Sequence, residues 1–124
     1  MKKNYKDVGL AILRIGTSAM MLSHGLPKVE RIFAETIEFS DPLGVGASTS
    51  LTLALIGEVI APLFILVGFR TRLAAIPALM TMLVAAFVVH SSDPFATKEK
   101  ALLYALAFLV ILIAGPGKYA LEKN

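Results

Sequence analysis

Glu58 stands near the middle of LTLALIGEVIAPLFILVGF, residues 51–69, a stretch long and apolar enough to cross a bilayer. An ionisable side chain at that depth costs about 2.5–3.5 kcal/mol on insertion scales, so the carboxylate has to face a protein interior, hold a proton or meet a cation. His24 and His90 fall near the same ends of their own apolar stretches, where imidazoles titrate or hydrogen-bond near neutral pH. Glu58, His24 and His90 therefore form the candidate proton-handling, catalytic set. Arg14, Lys28, Glu99 and Tyr104 are candidate ligand-binding groups: Lys28 and Glu99 lie just beyond the histidines, and Tyr104 follows Glu99 by one and a half turns. Arg14 is also the candidate structural partner of Glu58. By helical rise, Arg14 lies roughly 10 Å and Glu58 roughly 18 Å from the same membrane face, a gap a guanidinium can largely bridge. The competing reading has Arg14 reaching the headgroups while Glu58 stays protonated. Each histidine, and Tyr104, also fits an ordinary interfacial position.

Other chemistries are absent from the pattern. The chain has no cysteine, which removes disulfides, thiolate metal sites and CxxC redox chemistry. No HxxxH or HxxE spacing pairs two ligands on one helix, so no metal site is expected. There is no phosphate-cradling glycine loop, no Ser/His/Asp set and no nucleophile elbow. The net charge of +3 is spread singly or in pairs beside apolar spans, which argues against nucleic acid.

The elements that must position these groups follow from hydropathy. With 56% hydrophobic residues and a mean hydropathy of +0.75 in 124 residues, the chain reads as one integral membrane domain over 1–124. An all-α, four-helix bundle is expected, with spans at about 8–26, 48–69, 72–90 and 95–114. Between the first two spans, Val29, Ile32, Phe33 and Ile37 recur at helical spacing, which suits a short interfacial helix over 28–39. Pro62 cannot donate to the Glu58 carbonyl, so a bend is expected beside the carboxylate. Gly9, Gly16 and the alanines of the third span are candidates for close helix approach. Four spans put both termini on one side. That side carries Lys2, Lys3, Lys6, Arg70, Arg72, Lys118 and Lys123, against Lys28, Arg31, Lys98 and Lys100 opposite, so the termini are expected in the cytoplasm.

Leu13-Arg14 and Gly16, His24-Gly25 with Lys28, Gly57-Glu58, Gly68, Thr71-Arg72-Leu73-Ala74-Ala75, His90, Glu99 with Ala101-Leu102-Leu103-Tyr104, and Gly115-Pro116-Gly117 occur in an order that resembles the DoxX family. The resemblance covers nearly the whole chain. It implies a small four-helix protein of the bacterial inner membrane whose polar positions here are Arg14, His24, Lys28, Glu58, Arg72, His90 and Glu99. Two departures stand out: Ala61 and Pro62 replace glycines frequent after the glutamate, and Lys118-Tyr119-Ala120-Leu121-Glu122 stands where the family's arginine-tyrosine-serine-leucine-aspartate tail is usual. Some members are named as subunits of thiosulfate:quinone oxidoreductase or quinol oxidase systems, while many have no assigned activity, and fold alone does not fix function. The resulting expectation is a redox-associated subunit that binds a quinone-like or other amphipathic molecule among membrane lipid. It carries no cofactor of its own, takes electrons from a partner protein, and could self-associate into a homo-oligomer. A non-catalytic scaffold is the main alternative, and a small transporter is a third.

Overall fold

The computed structural model describes residues 5–33, 41 and 43–122. The described residues form an all-α membrane bundle of four helices, α1 (Tyr5–Gly25), α2 (Ala47–Val67), α3 (Thr71–Val89) and α4 (Phe95–Ala114). Short connections at 68–70 and 90–94 make α2, α3 and α4 successive antiparallel neighbours, α1 packs on α2, and α4 closes the ring against α1. At about 1.5 Å per residue, each helix is near the roughly 30 Å thickness of a bilayer's hydrocarbon core. By composition α2 and α3 pass as spans outright. The other two have the length but carry polar groups, Lys6, Asp7 and Arg14 in α1 and Lys98, Glu99 and Lys100 in α4.

The core is thin and built from small residues. Ala74, Ala75 and Ala78 of α3 let α4 approach closely, and Ala105, Phe108 and Ile111 fill the space from the other side. Large apolar residues such as Ile12, Leu63, Phe64, Leu73, Leu103 and Ile113 point outward and are exposed, as side chains facing lipid must be. Gly9 and Gly16 meet no neighbour, so their smallness serves no packing within the chain.

Two helices are rewound at membrane depth. In α2 the residues Ile56–Ile60 form a π-turn, in which the Ala61 N–H donates to Ile56 O, and Pro62 follows in the first turn of the α-helix that resumes. The expected disturbance beside Glu58 thus takes the form of a wider turn, which absorbs the donor that proline lacks. In α3 the residues Ala85–Val89 form a second π-turn, closed by His90 N–H donating to Ala85 O at 3.0 Å. Earlier in the same helix Pro77 removes another donor. The Thr81 hydroxyl also bonds back to Pro77 O at 2.8 Å, an i−4 contact of the kind that often bends helices.

The interfacial helix expected over 28–39 is a 3-10 helix over Leu26–Phe33, and 34–39 lie outside the described residues. Its Phe33 is 82% exposed. No side-chain cap starts α4 at Ser92 or Asp93. Pro94 takes the cap position and Asp93 turns instead to His90.

At the end bearing the chain termini, the segment after α4 folds back across α2. Leu121 N–H donates to Val67 O and Glu122 N–H to Gly68 O, both at 2.9 Å, while the Glu122 carboxylate accepts the Thr71 N–H at 2.8 Å. Gly68, at φ 75, has room for no side chain, because a Cβ would lie 2.3 Å from that of Ala120.

Candidate functional site

Arg14, only 2% exposed, binds that returning segment. Its Nη1 donates to Ile65 O at 3.0 Å and also to Leu66 O, and its Nη2 donates to Tyr119 O. The Ile65 and Leu66 carbonyls end α2, where partial negative charge favours a cation, and that of Tyr119 belongs to the returning segment. The expected Arg14–Glu58 pair therefore does not form. Arg14 sits level with Ile65, seven residues of helix from Glu58, or roughly 10 Å along the axis.

Glu58 has other partners. Lys28 Nζ donates to Oε1 at 2.7 Å and Oε2 at 3.0 Å, and His24 Nε2 lies 3.2 Å from Oε1. The carboxylate is 3% exposed, so the fork from Lys28 supplies the charge compensation that lipid cannot. Two glycines bring the three helices together here. A Cβ on Gly25 would lie 2.5 Å from Glu58 O, and one on Gly57 would lie 1.9 Å from the Thr81 Oγ. In each dipeptide, His24-Gly25 and Gly57-Glu58, the glycine permits the close approach that its polar neighbour uses.

The cluster forms one wall of a cavity of about 510 Å³ at the end of the bundle opposite the termini. His90, Tyr104 and Lys100 stand around the same space, and both π-turns contribute to its lining. His90 Nδ1 pairs with Asp93 Oδ2 at 2.8 Å, which fixes the proton on Nδ1 in the neutral ring. The His24 and Tyr104 rings are 6.5 Å apart, and Tyr104 stacks on Phe108 at 6.4 Å, giving a row of flat surfaces from the cavity into the core. Further along the rim, Ser50 donates to Asp41 at 2.7 Å. This hydroxyl, and then the Gly46 N–H, hold the Asp41 carboxyl below the usual aspartate range.

Six of the seven expected site residues are thus divided between two places. His24, Lys28, Glu58, His90 and Tyr104 share the cavity, while Arg14 closes the opposite end. Glu99, the seventh, is exposed and does not line the cavity. Lys100 lines it instead, with Tyr104 and Phe108 following at four-residue steps on one helix face. That spacing was the available signal for Lys100. Arg72, another position implied by the resemblance, packs its guanidinium against Gly115, with Nη2 3.4 Å from Ile113 O, at the terminal end.

Comparison with known proteins agrees with this architecture. The sequence model of the DoxX family matches residues 9–91, which include His24, Lys28, Glu58 and His90. The chain is 30% identical over 127 residues to inner membrane protein YqjF of Escherichia coli K12, covering 98% of this chain and 95% of that one. It is 31% identical over 130 residues to an uncharacterized protein of Haemophilus influenzae, covering 98% and 94%. No solved structure matches significantly.

Proposed function

The chain belongs to the DoxX family of membrane proteins, and from that premise we propose that it is a redox-associated protein of the bacterial inner membrane, both termini cytoplasmic, that binds a quinone-like or other amphipathic small molecule in the cavity. One observation carries the reading: a buried carboxylate held by Lys28 and His24 on the wall of a cavity of about 510 Å³, within the roughly 300–1,000 Å³ usual for small-molecule sites. A quinone head needs a donor at each carbonyl and takes up two protons when two electrons reduce it. Imidazole and ammonium groups supply such donors, and the Glu58–His24 pair is suited to pass protons. His90 and Tyr104 offer a second polar contact and a flat aromatic face across the cavity. The electrons would come from a partner protein, since the chain has no cysteine to carry them.

The test is mass spectrometry of molecules retained by the full chain after gentle purification from membranes. A quinone or another single amphipath is expected with the unaltered protein. Glu58→Gln, which weakens charge-assisted contacts, should lower its retention by about tenfold. Equal retention by both proteins, or no retained molecule beyond bulk phospholipid, would overturn the reading.

A further inference from the structure

Inward of the Glu58 level, α2 and α3 are in close contact; outward of it they part. The inner half of α2, Ala61–Val67, and the π-turn Ile56–Ile60 both pack on Thr71–Val84 of α3, with Gly57 seated against Thr81. The outer part, Ala47–Leu55, leans instead on the 3-10 segment Leu26–Phe33 and on its own π-turn. The divergence begins beside the rewound turn Ile56–Ile60 of α2, where Gly57 faces Thr81, whose hydroxyl bonds back to Pro77 O in α3.

The consequence is visible in the lining. Leu53 and Ile56 of α2 and Met80 of α3 line the cavity at this divergence and are 46%, 36% and 54% exposed, so none of them is packed shut against the facing helix. Half-exposed apolar side chains on the two helices, where the helices no longer touch, leave an opening between them. At this depth the surroundings are hydrocarbon, and the three residues at the opening are wholly apolar. The polar groups, Glu58 with Lys28 and His24, lie behind it.

We propose that the cavity is entered sideways, through the gap between α2 and α3, by a molecule dissolved in the bilayer whose polar head reaches the Glu58 cluster while a single apolar tail stays in the gap between Leu53, Ile56 and Met80. This rests on the amphipath reading above and adds to it the route and the shape of the ligand. A polar head on a flexible chain is the class that fits, because a tail in the gap keeps its hydrocarbon contacts while the head exchanges lipid for donors.

The experiment uses the full chain in lipid nanodiscs and a benzoquinone carrying a decyl tail with a diazirine at the tail end. After photolysis, adducts are mapped by peptide mass spectrometry, with and without excess unlabelled decyl quinone. Competed adducts on Leu53, Ile56 or Met80 are expected, well above the uncompeted background on lipid-facing residues such as Ile12 and Leu103. Met80→Trp and Leu53→Trp, at half-exposed positions on opposite sides of the gap, should each lower the competed signal by about tenfold. Competed adducts on other lining residues such as Thr97 with none in the gap, or full labelling in both tryptophan variants, would overturn sideways entry and leave quinone binding standing. Uncompeted adducts alone would overturn both.

Discussion

The backbone of Gly25 lies against that of Glu58 so closely that a Cβ there would sit 2.5 Å from the Glu58 carbonyl oxygen and 2.8 Å from its Cβ. This contact sets the level at which α1 ends on α2. His24 precedes it by one residue and Lys28 follows by three, and both reach the Glu58 carboxylate. Gly25→Ala should force the helices apart at the cluster, since the clash is with backbone and cannot be relieved by a rotamer change. A loss of about 1–3 kcal/mol is expected in mixed-micelle unfolding. Unchanged stability would mean that the contact is looser than described.

Lys28 and Glu58 should behave as a coupled pair. Removing the lysine alone leaves a carboxylate that is 3% exposed with His24 as its one remaining side-chain partner among the described residues. Lys28 is 22% exposed at its side chain, so the cost falls below that of a fully buried pair, at about 1–3 kcal/mol for Lys28→Met. Adding Glu58→Gln to Lys28→Met should recover part of that loss, because the uncompensated charge is gone. A double-mutant cycle in the same unfolding assay measures the coupling, and strict additivity would rule it out.

Much of this arrangement was readable before any coordinates. Hydropathy marks the four helices, and the depth of Glu58 alone demands a sheltered partner. Which partner it is could not be read, because the choice depends on how far α1 slides along α2. Rise per residue gives positions along one helix and says nothing of register between two. The glycine contacts at Gly25 and Gly57 fix that register, and a glycine in a helix looks the same in sequence whether it packs, as Gly25 does, or meets nothing, as Gly16 does. Glu99 misses the cavity for a simpler reason. One residue of helix is a rotation of about 100°, enough to take Glu99 off the face that Lys100 and Tyr104 share. The π-turns were legible only in part, since Pro62 signals a lost donor but not how the helix accommodates it.

Arg14 cannot be replaced by lysine without loss. Two guanidinium nitrogens serve the carbonyls of Ile65, Leu66 and Tyr119, on two separate segments, and a single ammonium on a shorter reach cannot hold all three. Arg14→Lys should cost about 1–2 kcal/mol and speed proteolysis between Gly115 and Glu122. The outer cavity is at the other end of the bundle, so photolabelling there should be unchanged. Loss of labelling together with tail release would show that the two ends are coupled.

Acid should release the same tail. The Thr71 N–H bond holds the Glu122 carboxyl below the usual glutamate range, so its charged form is favoured in the docked state. A group whose folded-state pKa is depressed stabilises fully above its unfolded pKa and loses that contribution as pH falls through the lower, folded value. Docking should therefore be unaffected near neutrality and weaken only below the ordinary glutamate range. Glu122 is partly exposed, which limits the effect to about 1 kcal/mol or less. The readout is hydrogen exchange at the Leu121 and Glu122 amides, which donate to Val67 O and Gly68 O, corrected for the intrinsic pH dependence of exchange. Protection should fall on acidification in the unaltered chain. In Glu122→Gln it should be lower at neutral pH and flat with pH. Protection that falls equally in both proteins would assign the acid response to some other group.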